Sequence, residues 1–319
     1  MTDMSDSTND PLETSTPADS ALPEWLQSLP ERTRPYVTLA RLDRPVGIWL
    51  LLLPCYMGLA QMRIPTGFEW IDIVWIILFA IGAIVMRGAG CTWNDILDRD
   101  MDAQVERTAG RPLPAGDVTL REAYYFMGAQ VFIGFLVWLC LPFDAKIVTL
   151  LSIPLVAAYP YMKRITWWPQ AWLGFTFNFG ALVGAATAAS VTGANVVLYM
   201  GLVAWTVAYD TVYALQDKED DALAGVKSTA RLFGDKVLTG IFVFHLAATA
   251  LVALGALFAG AGRMGAIVGL LFLGHALWQL SCLSKGKTEN ALMVFKANVH
   301  TGLIVVFGFS IAAILSGFA

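Results

Sequence analysis

The chain has 319 residues, 57% of them hydrophobic and only 14% charged, with a formal net charge of −4. A soluble domain carries about 25% charged residues, so this composition describes a membrane protein. The modest charge and the lack of a basic block exclude a nucleic-acid partner.

Residues 1–22 are rich in Ser, Thr, Asp and Pro and nearly devoid of apolar side chains. That composition reads as a disordered tail rather than the apolar core of a targeting segment, and the tail is expected to run to residue 33. The four cysteines lie far apart without CxxC or CxxH spacing, so zinc and thiol–disulfide chemistry find no support. His245, His275 and His300 sit in apolar stretches and form no cluster in sequence. A satisfied hydrogen bond between helices is the favoured role for each, with an intramembrane functional group as the alternative.

A membrane-spanning helix needs about 20 mainly apolar residues. Nine segments qualify: 45–62, 71–92, 121–141, 146–162, 171–190, 195–214, 238–260, 264–283 and 297–317. They are long and apolar on every face, which favours helices over strands. Lys and Arg concentrate in the N-terminal segment and in loops near 93–120, 163–170, 215–237 and 284–296. The opposite side has only Arg63, Lys146 and Arg263. The positive-inside rule therefore puts the N-terminus and those loops in the cytoplasm.

Two of those loops are dense in carboxylates. The first holds Asn94-Asp95-Ile96-Leu97-Asp98-Arg99-Asp100-Met101-Asp102. Asn94, Asp98 and Asp102 are spaced by four, so on a helix they share one face. The second holds Tyr213-Ala214-Leu215-Gln216-Asp217-Lys218-Glu219-Asp220-Asp221, and Tyr213, Asp217 and Asp221 repeat the spacing. Each motif closes a spanning segment, and each is followed by basic and hydroxyl residues, Arg107 to Pro112 and Lys227 to Arg231. This is a weak internal repeat that could set two acidic faces opposite each other.

Mg²⁺ takes oxygen ligands and is often held by one or two carboxylates plus substrate phosphates. Two acidic helix ends suit Mg²⁺ and a diphosphate, with nearby Lys and Arg meeting the remaining charge. An allylic diphosphate bound there can ionise, and a membrane cavity would take its apolar tail. A solvated acidic loop explains one motif readily and two matched motifs poorly. Arg87 lies seven residues before Asn94, within about 20° of its face. It reads as an anchor for a substrate anion, or else as a structural ion pair or a snorkelling side chain.

At these residues the sequence resembles the UbiA-type membrane prenyltransferases, whose pattern pairs N-x-x-x-D-x-x-x-D with a second D-x-x-x-D. The resemblance covers residues 34–319. The strings Arg41 to Gly47, Met86 to Cys91, Arg107 to Pro114, Tyr209 to Ala214, Asp217 to Asp221 and Lys227 to Ala230 favour the 4-hydroxybenzoate polyprenyltransferase branch of ubiquinone synthesis. The resemblance implies an all-α membrane protein, nine transmembrane helices around a central cavity with a cytoplasmic loop cap.

The same resemblance implies Mg²⁺ ligation by Asn94, Asp98, Asp102, Asp217 and Asp221. Arg87 then lies in the acceptor or diphosphate pocket, and Lys163 helps to bind diphosphate. The catalytic candidates are Asp98, Asp102, Asp217, Asp221 and Arg87. Arg87, Arg111, Lys163, Lys227 and Tyr213 are the substrate-binding candidates. The expected partners are polyprenyl diphosphate, 4-hydroxybenzoate and membrane lipid, in a bacterial or mitochondrial inner membrane. A prenyltransferase using another acceptor, and a transporter with an acidic cytoplasmic site, stand as alternatives.

Overall fold

A computed structural model describes residues 24–104, 106–216, 218, 225–283 and 290–316. Among them every regular element is helical, and nine segments are long and apolar enough to cross a membrane. They are Val46–Arg63, Ile71–Asp102, Leu120–Cys140, Phe143–Ile165, Pro169–Ala188, Gly193–Ala214, Thr229–Phe258, Arg263–Leu283 and Ala291–Ser316. Each falls on one of the nine expected spans, so this is an all-α integral membrane protein.

The span ends shift by a few residues, and three differences from expectation are informative. The second span continues without a break through Asp102, a helix of 32 residues. The fifth is two helices, Pro169–Phe177 and Phe179–Ala188, meeting at Asn178. The buried Asn178 amide donates to the carbonyls of Gly174 and Leu202 and to the Thr206 hydroxyl, which ties the junction to the next span. The seventh begins early, with Thr229–Phe233 and a 3-10 turn at Gly234–Lys236 preceding the long helix Val237–Phe258. There the Ser228 hydroxyl accepts the Arg231 amide and caps the new start. Helical turns also occupy Glu24–Gln27 and Glu31–Thr33, within the segment expected to be disordered.

The chain divides into two compact units. One holds the described residues through Pro45 together with Val85–Ile133. Its apolar centre is Leu39, Leu113, Val118 and Ala123, with Tyr36, Ile96 and Phe126 packed against them. The residues before the first acidic motif and the loop after it are thereby gathered on the motif's own helix.

The other unit holds Val46–Ile84 and the described residues from Gly134 onward. Its largest core joins Leu50, Leu53, Met57, Leu198, Leu202, Trp205, Phe272 and Phe309 from four spans. Buried amides join the helices where apolar contact alone gives little direction. Gln61 donates to the carbonyls of Ala194 and Gly255 and accepts from Asn195. Trp205 donates to Asn298 at 2.8 Å.

Small residues set the closest approach. A Cβ on Gly184 would lie 2.0 Å from the Cys55 carbonyl oxygen, and one on Gly58 would lie 1.9 Å from that of Ala181. Both neighbours are backbone, so neither can turn aside. Gly184→Val is therefore expected to cost about 3 kcal/mol or more. The thermal unfolding midpoint in detergent should fall by several degrees, and an unchanged midpoint would contradict this packing.

Candidate active site

The first acidic motif occupies the last turns of the Ile71–Asp102 helix. Helical backbone across the whole motif keeps Asn94, Asp98 and Asp102 on one face, within about 80°. Asp98 and Asp102 are buried and Asn94 is half-buried. Arg87 lies seven residues earlier on the same unbroken helix, also half-buried.

The surrounding segments bring cations to these acids. Arg111 donates to Asp102 at 2.7 Å and, more weakly, to Asp95 at 3.4 Å. Asp95 and Asp102 are seven residues apart, so they lie within about 20° of each other and one guanidinium reaches both. The Thr108 hydroxyl donates to the Asp102 carbonyl, which folds the loop back onto the helix end.

Asp95 is itself 1% exposed. Both its oxygens accept from Arg41 Nη2, at 2.9 and 2.8 Å. Arg41 Nη1 donates to the Thr38 carbonyl. Burial is the largest influence and would weaken the Arg41 charge, but the attraction and hydrogen bonds of Asp95, with Cys91 and Asp43, together hold the guanidinium above its ordinary range. Arg41 also has a φ of +57°, a left-handed backbone that a side chain of this size adopts only when its surroundings insist.

Spacing by four selects Asn94, Asp98 and Asp102 and gives no role to Asp95 or Arg41. The available signal is the seven-residue interval from Asp95 to Asp102, which sets the two on nearly one line of the helix.

In the other unit, the Gly193–Ala214 helix ends just after Tyr213, whose ring packs 4.7 Å from that of Phe295. Asp217 and Asp221 lie outside the described residues. Lys163 and Lys227 are brought together: the Lys227 amide donates to the Lys163 carbonyl at 3.0 Å, and Lys227 Nζ to the Ile165 carbonyl at 3.1 Å. The segment after Lys227 is pinned at several points. Thr229 donates its amide to the buried Gln170 side chain and meets the Thr211 hydroxyl at 2.6 Å. Arg231 stacks over the Trp167 ring. Gln170 carried no motif in the sequence, and only the fold identifies it.

The donors suit a hard cation. Asn94, Asp98 and Asp102 present an amide and two carboxylates, all oxygen, as Mg²⁺ prefers. Among the described residues no group of three His, Cys, Asp or Glu side chains is placed to hold a metal. Asp98 and Asp102 supply two carboxylates.

Removing one partner of a buried ion pair leaves the other uncompensated. Arg41→Met is expected to lower stability by about 3–5 kcal/mol, read as a fall in the thermal midpoint. Replacing Asp95 with Leu in the same chain should recover part of that loss, and no recovery would contradict the pairing.

A family model described as the UbiA prenyltransferase family matches residues 51–315. The chain is 42% identical over 297 residues to a mitochondrial 4-hydroxybenzoate polyprenyltransferase of Aedes aegypti, covering 92% of this chain and 66% of that one. It is 41% identical over 293 residues to the human protein of the same name, covering 89% and 76%. Among solved structures, a UbiA homologue from Aeropyrum pernix K1 matches with a TM-score of 0.70 and 28% identity, over 83% of this chain and 97% of that one. A UbiA homologue from Archaeoglobus fulgidus bound to GPP and Mg²⁺ shares the fold, with a TM-score of 0.64 and 18% identity over 89% and 100% of the two chains. The chain belongs to the UbiA prenyltransferase family.

Proposed function

We propose that this protein transfers a polyprenyl group from polyprenyl diphosphate to 4-hydroxybenzoate, for ubiquinone synthesis. The observation that carries the reading is the buried pair Asp98 and Asp102 beside Arg111, at the end of a membrane helix. The names of the relatives at 41–42% identity support the acceptor.

Mg²⁺ held by Asn94, Asp98, Asp102, Asp217 and Asp221 would neutralise the diphosphate and ease its departure. Arg111, Lys163 and Lys227 supply further positive charge around the leaving group. Arg87 anchors an anionic group of the acceptor or the diphosphate. Tyr213 borders the substrate. The bond between the allylic carbon and the diphosphate oxygen breaks. The ring carbon ortho to the hydroxyl bonds to the allylic carbon, and loss of the ring proton restores aromaticity. The products are 3-polyprenyl-4-hydroxybenzoate and diphosphate.

The acids stand at the end of a helix among basic residues, not at mid-span, which speaks against an ion-conducting path. The excess of Lys and Arg argues for the N-terminus and the acidic motifs on the cytoplasmic or matrix side of an inner membrane.

Asp98→Ala and Asp217→Ala, tested separately in the purified protein, should each abolish prenyl transfer while the thermal midpoint stays within a few degrees. Normal turnover in both variants would refute the metal assignment.

A further inference from the structure

We infer that Asp95 is a positioning residue, a buried counter-charge that keeps Arg111 from competing with a metal ion for Asp102. The inference rests on the metal-binding reading of Asp98 and Asp102 above.

Asp95 is enclosed, bound on both oxygens by Arg41, and placed within about 20° of Asp102 around the helix. Its Oδ1 stands 3.4 Å from the same Arg111 nitrogen that lies 2.7 Å from Asp102. Arg111 is therefore shared between two carboxylates, one already saturated by Arg41 and one facing the proposed metal. A cation binding at Asp102 must displace the 2.7 Å contact. The guanidinium can give up Asp102 without becoming a lone charge, because Asp95 remains beside it. Arg111 then stays at the helix end, free to turn its other donors to the diphosphate.

Arg41 has a separate part in this arrangement. Its Nη2 donates to both Asp95 oxygens while its Nη1 donates to the Thr38 carbonyl, which ties the carboxylate to the preceding segment with its Oδ1 also facing Arg111. A lysine there would keep the charge but could not bond Thr38 and Asp95 through two rigidly linked nitrogens, so Arg41→Lys is expected to reproduce part of the effect of changing Asp95.

If Asp95 is neutralised, Arg111 has one carboxylate left. It should hold Asp102 more tightly and exclude the metal. Outer groups of this kind typically change metal affinity by about 10–100-fold.

The experiment titrates Mg²⁺ into the full-length protein in detergent, with inorganic pyrophosphate present, and follows the thermal midpoint. Asp95→Asn should raise the Mg²⁺ concentration needed for half-maximal stabilisation by about tenfold. Adding Arg111→Gln to that variant removes the competitor. The double variant should therefore recover Mg²⁺ affinity in a titration with the metal alone, although its turnover stays low. A purely structural role for Asp95 predicts no such recovery. If Asp95→Asn does not fold, Arg111→Gln by itself should bind Mg²⁺ alone more tightly than the unaltered protein.

Asp98→Ala is the control. Loss of Mg²⁺ stabilisation there, with unaltered affinity in Asp95→Asn, would overturn the inference alone. Absence of recovery in the double variant, or no gain in Arg111→Gln, would do the same. Retained Mg²⁺ affinity in Asp98→Ala would overturn the metal reading, and the inference with it.

Discussion

The length of one helix sets the terms for the rest of the site. Ile71–Asp102 has 32 residues and is about 48 Å long at 1.5 Å per residue. The hydrocarbon layer of a bilayer is about 30 Å thick. An unbroken helix of this length cannot keep all its residues in hydrocarbon, so its polar C-terminal turns emerge on one side. The acidic motif occupies those turns. Its carboxylates thus ride on a rigid rod anchored in lipid, and their mutual spacing is that of the helix itself.

Emergence from lipid does not make the acids solvated. Asp95, Asp98 and Asp102 are all buried by the protein. A buried carboxylate is costly unless it meets a cation and hydrogen-bond donors. The segments on either side of the spans in this unit supply them. Residues 34–45 bring Arg41 to Asp95, and residues 106–116 bring Arg111 to Asp95 and Asp102. The left-handed backbone of Arg41 is held where that ion pair needs it. The same logic holds the second basic segment, with different partners. Gln170, Thr211 and the carbonyls of Lys163 and Ile165 fix Lys227 and Thr229. In both places neighbouring groups hold the basic segment, so the cations proposed for the diphosphate are presented from anchored backbone.

The nine spans were legible because a bilayer demands about 20 apolar residues and the chain offers nine such runs. Their ends were less so. Hydropathy stops near residue 92, but the backbone hydrogen bonds continue to Asp102, since polar side chains do not end a helix whose exposed face is wet. The break at Asn178 was hidden inside an apolar run, because it depends on a contact with Thr206 that is 28 residues away. Spacing by four identified Asn94, Asp98 and Asp102 on their helix. It discarded Asp95, whose importance comes from Arg41, 54 residues distant in sequence. Tyr213 lies one residue before the end of its helix, and Asp217 and Asp221 stand outside the described residues, so the matched spacing of the second motif remains a sequence-level expectation.

The central claim is that an acidic site at the end of a membrane helix performs prenyl transfer to 4-hydroxybenzoate. The most direct measurement is mass spectrometry of the product made by the purified protein from 4-hydroxybenzoate and polyprenyl diphosphates of several lengths, with Mg²⁺ and with EDTA. The account predicts 3-polyprenyl-4-hydroxybenzoate with Mg²⁺ and none with EDTA. No prenylated 4-hydroxybenzoate at any chain length, or equal product in EDTA, would contradict it.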